Sequence, residues 1–333
     1  MVYVGLDIGY GQTKLCWSQG FGESRAEVHP SGAAPIEQCD GTGLNAAGEA
    51  ALSYGETVYV RGKCYGALID PDRISTGMQT LHADYSSTPQ YMALYLGALA
   101  RLDVTEVDQL VTGLPVSQTK NSDRAAQLKA MLEGVHEMRP GRNVQVKNVT
   151  IVPQAIGAYY AYLDRRPPGL SLHDTVLVVD CGHYSLDWVQ VSGDSFRDEA
   201  SSSSTHGGSM VIDRMVKLID EKYRTRVSRE TVYRYIRSGL TTIQLGRDVI
   251  DLQTLKEEAS RVIATQAMGE ILSSRRGQAN DINRVLVCGG GVPFYLDAVK
   301  EAFPRAGVDE VPNAVLANAI GFRLFAKVRN ARS

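Results

Sequence analysis

The sequence predicts an α/β protein built as two domains, and three observations predict it. An apolar strand ending in Asp-x-Gly opens the chain, within "VYVGLDIGYGQTKLCW" at 2–17. The pattern returns in the second half, within "TVLVVDCGHYSLDWVQV" at 175–191. Elsewhere, short apolar runs alternate with segments whose apolar residues recur at helical spacing. With 333 residues the chain is long enough for two sizeable cores.

The elements follow in order. Residues 2–8 and 13–17 read as two strands around a Gly-rich turn, and 20–56, without a clean period, as loops with short elements. "ETVYVRGKCYGAL" (56–68) is a hairpin that turns at Arg61-Gly62-Lys63. "TPQYMALYLGALARL" (88–102) has helical spacing, with Pro89 near its start, where a missing N–H costs nothing. A buried strand (108–116), a helix (121–134), a strand (145–153) and a helix (154–163) come next. "RRPPGLSLHD" (165–174) breaks any regular element and marks the main domain boundary. In the second half, 175–180 is a strand and "SSSSTHGG" (201–208) a loop before a helix at 209–223. Helices at 228–238 and 251–273, a buried strand with a triple-Gly turn (284–292), a helix near 293–302 and a final helix (313–328) complete the chain.

Composition narrows the function. Apolar residues make up 44% and charged residues 22%, as in an ordinary globular protein, and a net charge of −2 argues against direct nucleic-acid binding. The five cysteines form no Cys-x-x-Cys pair, and Cys16, Cys181 and Cys288 lie in or beside apolar runs. They read as buried free thiols in a reducing cytoplasm. An acid-bearing strand starting almost at Met1 is no secretory signal, and no apolar stretch reaches a membrane-spanning length.

The repeated hairpin carries the chemistry. It is not a P-loop, which ends Gly-Lys-Ser/Thr, because Lys14 follows Thr13, and it is not a dinucleotide fingerprint, because Gly9-x-Gly11 is followed by Lys14 where the last glycine belongs. Asp7 and Asp180 each end a strand, and each is followed seven positions later by a charged residue, Lys14 or Asp187. Gly-rich turns let backbone N–H groups converge on an anion. Two of them from two domains can hold a polyphosphate, with Lys14 supplying positive charge. The aspartates repel phosphate but can hold the water shell of Mg²⁺. Read singly, either hairpin is equally a tight turn capped by its aspartate; the pair favours a site.

Three further features bear on this. Gly289, Gly290 and Gly291 join a strand to a helix, where a base or sugar can approach the backbone, or where a turn merely needs positive φ. Gln154, at a strand-to-helix junction, can orient a water for in-line attack on a phosphate, or be only a polar helix start. Small residues recur on two helices, at Ala155, Ala158 and Ala161 and at Ala314, Ala317 and Gly321. They suit a hinge between domains, or ordinary close packing.

Together these stretches resemble the actin/Hsp70/sugar-kinase ATPase superfamily. Its five signatures appear in order: phosphate-1 "DIGYGQTK" (7–14), connect-1 "VPQAIGAYYAY" (152–162), phosphate-2 "VVDCGHYSLDW" (178–188), adenosine "LVCGGGV" (286–292) and connect-2 "NAVLANAIGF" (313–322). "VTGLPV" (111–116), "YGETVYVRGKCYGA" (54–67) and the Asp-x-Gly-x-x-Ser-x-Asp-Trp motif starting at Asp180 resemble the plasmid-segregation actins of the ParM/StbA type.

The resemblance implies an actin-like ATPase fold, two ribonuclease-H-like domains around a nucleotide cleft. Domain I would span 1–164 with a small subdomain inserted at about 20–85, and domain II 165–312 with one at about 213–259. Residues 313–333 would form a helix returning to domain I. The implied cofactors are ATP (or GTP) and Mg²⁺. Asp7 and Asp180 would hold the metal through water, and Gln154 would position the attacking water. Gly9, Tyr10, Gly11, Gln12, Thr13 and Lys14, and Gly182, His183, Tyr184 and Ser185, would hold the phosphates. Gly207 and Gly208 would approach the nucleotide, Gly289, Gly290 and Gly291 would face the adenosine, and Lys256 and Glu257 would reach the ribose or base. The implied partners are other copies of the chain, in a filament, and a DNA-binding adaptor, with no membrane. His183-Tyr184 stands where the family usually has Gly-Thr, and Gln154 where bacterial relatives often have Glu. The same fold leaves two alternatives, a small-molecule kinase and a nucleotide-binding scaffold that forms no filament; a kinase needs a carboxylate base for the acceptor hydroxyl, and no convincing one stands apart from the magnesium aspartates.

Overall fold

The computed structural model describes residues 1–330 except 21, 45–49, 76–83, 166, 170, 172, 193–194 and 276–280. Parts of the expected linker (166, 170, 172) and of the segment at 20–85 (21, 45–49, 76–83) thus lie outside the described residues. The chain divides into two compact units, Met1–Pro168 with Val311–Ser333, and Gly169–Glu310.

The first unit is built on a five-stranded sheet ordered Val149–Pro153, Gln109–Leu114, Val2–Ile8, Gln12–Gln19, Arg25–Pro30. The first three run parallel and the last two continue antiparallel. Val2–Ile8 is buried on both faces, as a near-continuous apolar run in a central strand should be. Helix Pro89–Arg101 covers one face; Thr88 caps it by accepting from the Tyr91 amide at 3.1 Å. On the other side helix Ala317–Asn330 packs on the central strand and on helix Ile156–Asp164. A Cβ at Gly321 would sit 1.7 Å from the Gly157 carbonyl oxygen, so those two backbones touch. The small residues on these helices therefore pack inside one unit.

The second unit repeats the plan. Its sheet is ordered Ser195–Ser204, Leu186–Ser192, Thr175–Cys181, Arg284–Cys288, Gly307–Glu310. Again an antiparallel pair lies on one side of the opening strand and two parallel strands on the other. The repeat read from two short stretches thus extends to strand order and direction in both sheets, the ribonuclease-H-like arrangement.

Several local expectations change. The stretch 20–56 contains Arg25–Pro30 on the main sheet and Gly32–Pro35 in a small sheet with Lys63–Ile69 and Glu56–Val60. That hairpin turns on two residues, Arg61 (φ 49°) and Gly62 (φ 76°), both left-handed as a tight hairpin requires. The serines at 201–204 are strand, not loop, pairing with Leu186, Asp187 and Trp188. Ser201 donates to the Arg197 carbonyl and Ser203 to Asp187, so the polarity that suggests a loop is satisfied inside the sheet. The run 145–153 is two strands, Arg142–Val146 and Val149–Pro153, in different sheets. The last helix starts at Ala317 because Asn313 (φ 56°) is left-handed, incompatible with a helix begun there.

His136 is buried in the first unit, edge-on to Tyr95 and with Nε2 2.8 Å from the Leu132 carbonyl. Burial lowers its pKa, partly opposed by that hydrogen bond. An imidazole of lowered pKa favours the fold while neutral; unfolded it would protonate near 6.5, so stability is fully present above about 6.5 and is lost as pH falls toward the folded value. Urea midpoints should therefore fall between pH 7.5 and 5.5, and less so in His136→Gln. Equal pH slopes in the two proteins would count against this role.

Candidate functional site

In the first unit, strand register places Asp7 opposite Lys14 and Ile8 opposite Thr13, leaving residues 9–12 as the turn. The Gly9 amide donates to the Gln12 carbonyl at 3.0 Å and closes it. Thr13 and Ser31 share a hydroxyl hydrogen bond of 2.9 Å, and the Ser31 amide donates to the Gly11 carbonyl at 3.3 Å, bracing the turn from behind. Asp7 is 3% exposed; its Oδ2 accepts from Lys14 Nζ at 3.1 Å and its Oδ1 from Gln154 Nε2. Gln154 reaches it because Val149–Pro153 and Val2–Ile8 flank the same parallel strand and end together, and the Gln154 amide donates to the Leu114 carbonyl at 2.9 Å. The carboxyl ends of parallel strands are where such sheets place ligands.

The second unit reproduces this register and the hydrogen bond that closes the turn. Asp180 lies opposite Asp187 and Cys181 opposite Leu186, leaving residues 182–185 as the turn, and the Gly182 amide donates to the Ser185 carbonyl at 3.0 Å. Asp187, 2% exposed, accepts from the Ser185 hydroxyl at 2.6 Å and from Ser203. Lys14 and Asp187 thus hold equivalent positions with opposite charge: one neutralises its aspartate, the other orients a turn hydroxyl.

Around the second turn the other predicted glycines assemble. The Gly208 amide donates to the Gly182 carbonyl at 3.0 Å and the Ser209 amide to the His183 carbonyl at 2.7 Å, so helix Gly208–Tyr223 begins on the turn. A Cβ at Gly207 would lie 2.4 Å from the Tyr184 carbonyl carbon. Gly289 (φ +88°) leaves no room for a side chain, since a Cβ would sit 2.4 Å from Asp180 Oδ1, and the Gly291 amide donates to the Cys181 carbonyl at 2.8 Å. Gly290 is exposed between them. Lys256 and Glu257 lie near the start of helix Leu252–Ser274, where Glu257 accepts from Gln253 at 2.6 Å; the hydrogen bonds that tie the turn cluster together do not include them.

Burial raises the Cys181 thiol well above its usual range, with Asp180 adding to it, so it is an inert filler. Ser31 and Ser203 carried no local signal in the sequence; the structure brings Ser31 to Thr13 and Ser203 to Asp187. Among the described residues no three His, Cys, Asp or Glu side chains converge as a metal cage. Each Asp7 oxygen accepts one hydrogen bond and retains a second acceptor site for a metal-bound water.

The family model for the N-terminal domain of actin like proteins matches residues 5–157, and that for the C-terminal domain of the archaeal MreB-like actin homologue matches 178–301. The two meet the two units and both turns. The chain belongs to the actin/Hsp70/sugar-kinase superfamily, among its actin-like proteins. A search of curated proteins returns no match. Among solved structures, the actin-like chain is similar to the archaeal actin homologue Ta0583, at 18% identity over 100% of both chains with a TM-score of 0.76. The complex of that homologue with ADP matches at 18% identity over 100% of both chains, TM-score 0.71. The 15-stranded ParM filament from Clostridium botulinum matches at 19% identity, over 98% of this chain and 99% of that one, TM-score 0.75. At these identities the likeness is one of fold, shared by the archaeal homologue and ParM alike.

Proposed function

We propose that this actin-like protein binds Mg-ATP (or GTP), hydrolyses it and polymerises into filaments that segregate DNA through a DNA-binding adaptor in the cytoplasm. One observation carries the reading: two turns closed by the same amide-to-carbonyl hydrogen bond, each with a buried aspartate at its mouth. The ADP complex of the archaeal homologue and the ParM filament support it as relatives of the same fold.

In this reading, turn amides at 10–13 and 183–185 bind phosphate oxygens, while those of Gly9 and Gly182 close the turns. Asp7 and Asp180 would hold waters of a hydrated Mg²⁺, which would supply charge neutralisation at the phosphates. Lys14, ion-paired with Asp7, swings its ammonium onto a phosphate oxygen. Gln154, anchored through Nε2 on Asp7, leaves its Oε1 to accept from the attacking water and hold it in line. Gly289, Gly290 and Gly291 give the adenosine access to the backbone.

The test is light scattering and pelleting, with phosphate release, in Mg-ATP, Mg-ADP and no nucleotide. Assembly in Mg-ATP with phosphate release is expected. No nucleotide-dependent assembly at any protein concentration would sink the filament reading, and phosphoryl transfer to a small acceptor would replace it with a kinase.

A further inference from the structure

The residue three positions after each mouth aspartate carries an aromatic ring: Tyr10 after Asp7, His183 after Asp180. Each ring packs on a tyrosine from outside the main sheet of its own unit. Tyr10 stacks on Tyr85, with ring centroids 4.3 Å apart and planes 20° apart. Tyr85 is 6% exposed and meets Tyr91 edge-on at 5.7 Å, just ahead of and within helix Pro89–Arg101. His183 packs on Tyr233 of helix Arg229–Arg237, at 5.0 Å and 55°. Tyr233 is in turn overlain by the Arg237 guanidinium, 5.7 Å from the ring centre.

A turn whose backbone must present its amides to an anion is normally populated by small residues, because freedom of the backbone is what the shape demands. That freedom costs affinity, since the turn must be ordered when a ligand binds. An aromatic ring clamped on a fixed neighbour removes the cost in advance. Both turns place it at the same position, and both clamp it on a tyrosine distant in sequence.

We propose that Tyr10 and His183 are paired aromatic latches, each holding its turn in the phosphate-accepting shape, Tyr10 by stacking on Tyr85 and His183 by a tilted contact with Tyr233. They are positioning residues. The inference rests on the nucleotide reading for what the turns bind, but not for whether the rings hold them. It also explains the His183-Tyr184 departure: the bulky ring faces Tyr233, so the glycine expected there is unnecessary.

Tyr10 and Tyr233 are both partly exposed, and Tyr10 packs against the first unit's core without being buried in it, so truncating either ring opens no fully buried cavity. Amide hydrogen exchange on nucleotide-free protein should show residues 9–13 exchanging about threefold to tenfold faster in Tyr10→Ala, and residues 182–186 likewise in Tyr233→Ala, from the loss of one aromatic pair. Tyr10→Phe and Tyr233→Phe keep the ring and should match the wild type, and the amides of Val2–Ile8 should not change in any variant. Calorimetry with Mg-ATP should show weaker binding in the two Ala variants and restored binding in the Phe variants. Turn exchange unchanged in the Ala variants, or equally fast in the Phe variants, overturns the latch. His183→Ala, which removes the second ring from the other side of its contact, gives the same readout at 182–186 should Tyr233→Ala not fold. Wild-type protein that fails to bind Mg-ATP overturns the nucleotide reading instead, while the exchange data still decide the latch.

Discussion

Asp180→Ala is expected to lower ATP turnover by about 10²–10³-fold or more, the scale of removing one preorganised charge-stabilising group from a water-poor site. Asp180 is 5% exposed, and the close approach of Gly289 fixes its Oδ1 at the turn mouth. Its cross-strand partner Asp187 is poorly placed to substitute for it, being committed to Ser185 and Ser203. Gln154→Ala provides the contrast. It removes a group that holds water rather than charge, so nucleotide affinity should persist while turnover falls by a smaller factor. Phosphate-release assays on both variants, with nucleotide affinity measured alongside, check this. Turnover within a few-fold of the wild type in Asp180→Ala would remove that residue from the mechanism, and unchanged turnover in Gln154→Ala would remove the glutamine.

Gly321→Val should be strongly destabilising to the first unit. A Cβ there lands 1.7 Å from the Gly157 carbonyl oxygen, and one at Gly5 lands 2.0 Å from the Ala319 oxygen, so helix Ala317–Asn330 is pressed against backbone on two sides. Backbone cannot rotate out of the way as a side chain does. Overpacking costs typically 1–3 kcal/mol and occasionally more, and this site belongs at the upper end, about 3 kcal/mol or more. For a unit of this size that lowers the melting temperature by about 6–12 °C. Gly269→Ala is the control of opposite sign. It lies in helix Leu252–Ser274 with nothing within 4 Å of the added Cβ, so it should stabilise by about 0.5–1 kcal/mol. Calorimetric scans of the two variants suffice; a Gly321→Val melt within about 2 °C of the wild type would refute the close-packing argument.

Much of this molecule is written locally. The strand around Asp7, the Gly-rich turn and the second copy at Asp180 are contiguous in sequence, and a hairpin's register is set by its own residues. Pro89 and Thr88 announce the start of a helix in the same way. The serines at 201–204 misled because a run of small polar residues reads as loop until a neighbouring strand supplies Asp187 and Trp188 to pair with. Lys147-Asn148 hid a strand break for the same reason: the two halves alternate alike but join different sheets.

The sequence by itself determined the internal duplication, the two mouth aspartates and the Gly turns that follow them, because each is a short-range pattern with a direct backbone consequence. Only the tertiary structure decided what those groups touch. Gln154 meets Asp7 across 147 positions, Thr13 meets Ser31, Tyr10 meets Tyr85 and His183 meets Tyr233. Lys14 and Asp187 look like a mismatch in an imperfect repeat until cross-strand register gives each its partner. The reason is physical. Backbone conformation follows from neighbours in the chain, whereas the orientation and charge balance of a buried side chain follow from neighbours in space, and packing alone chooses those.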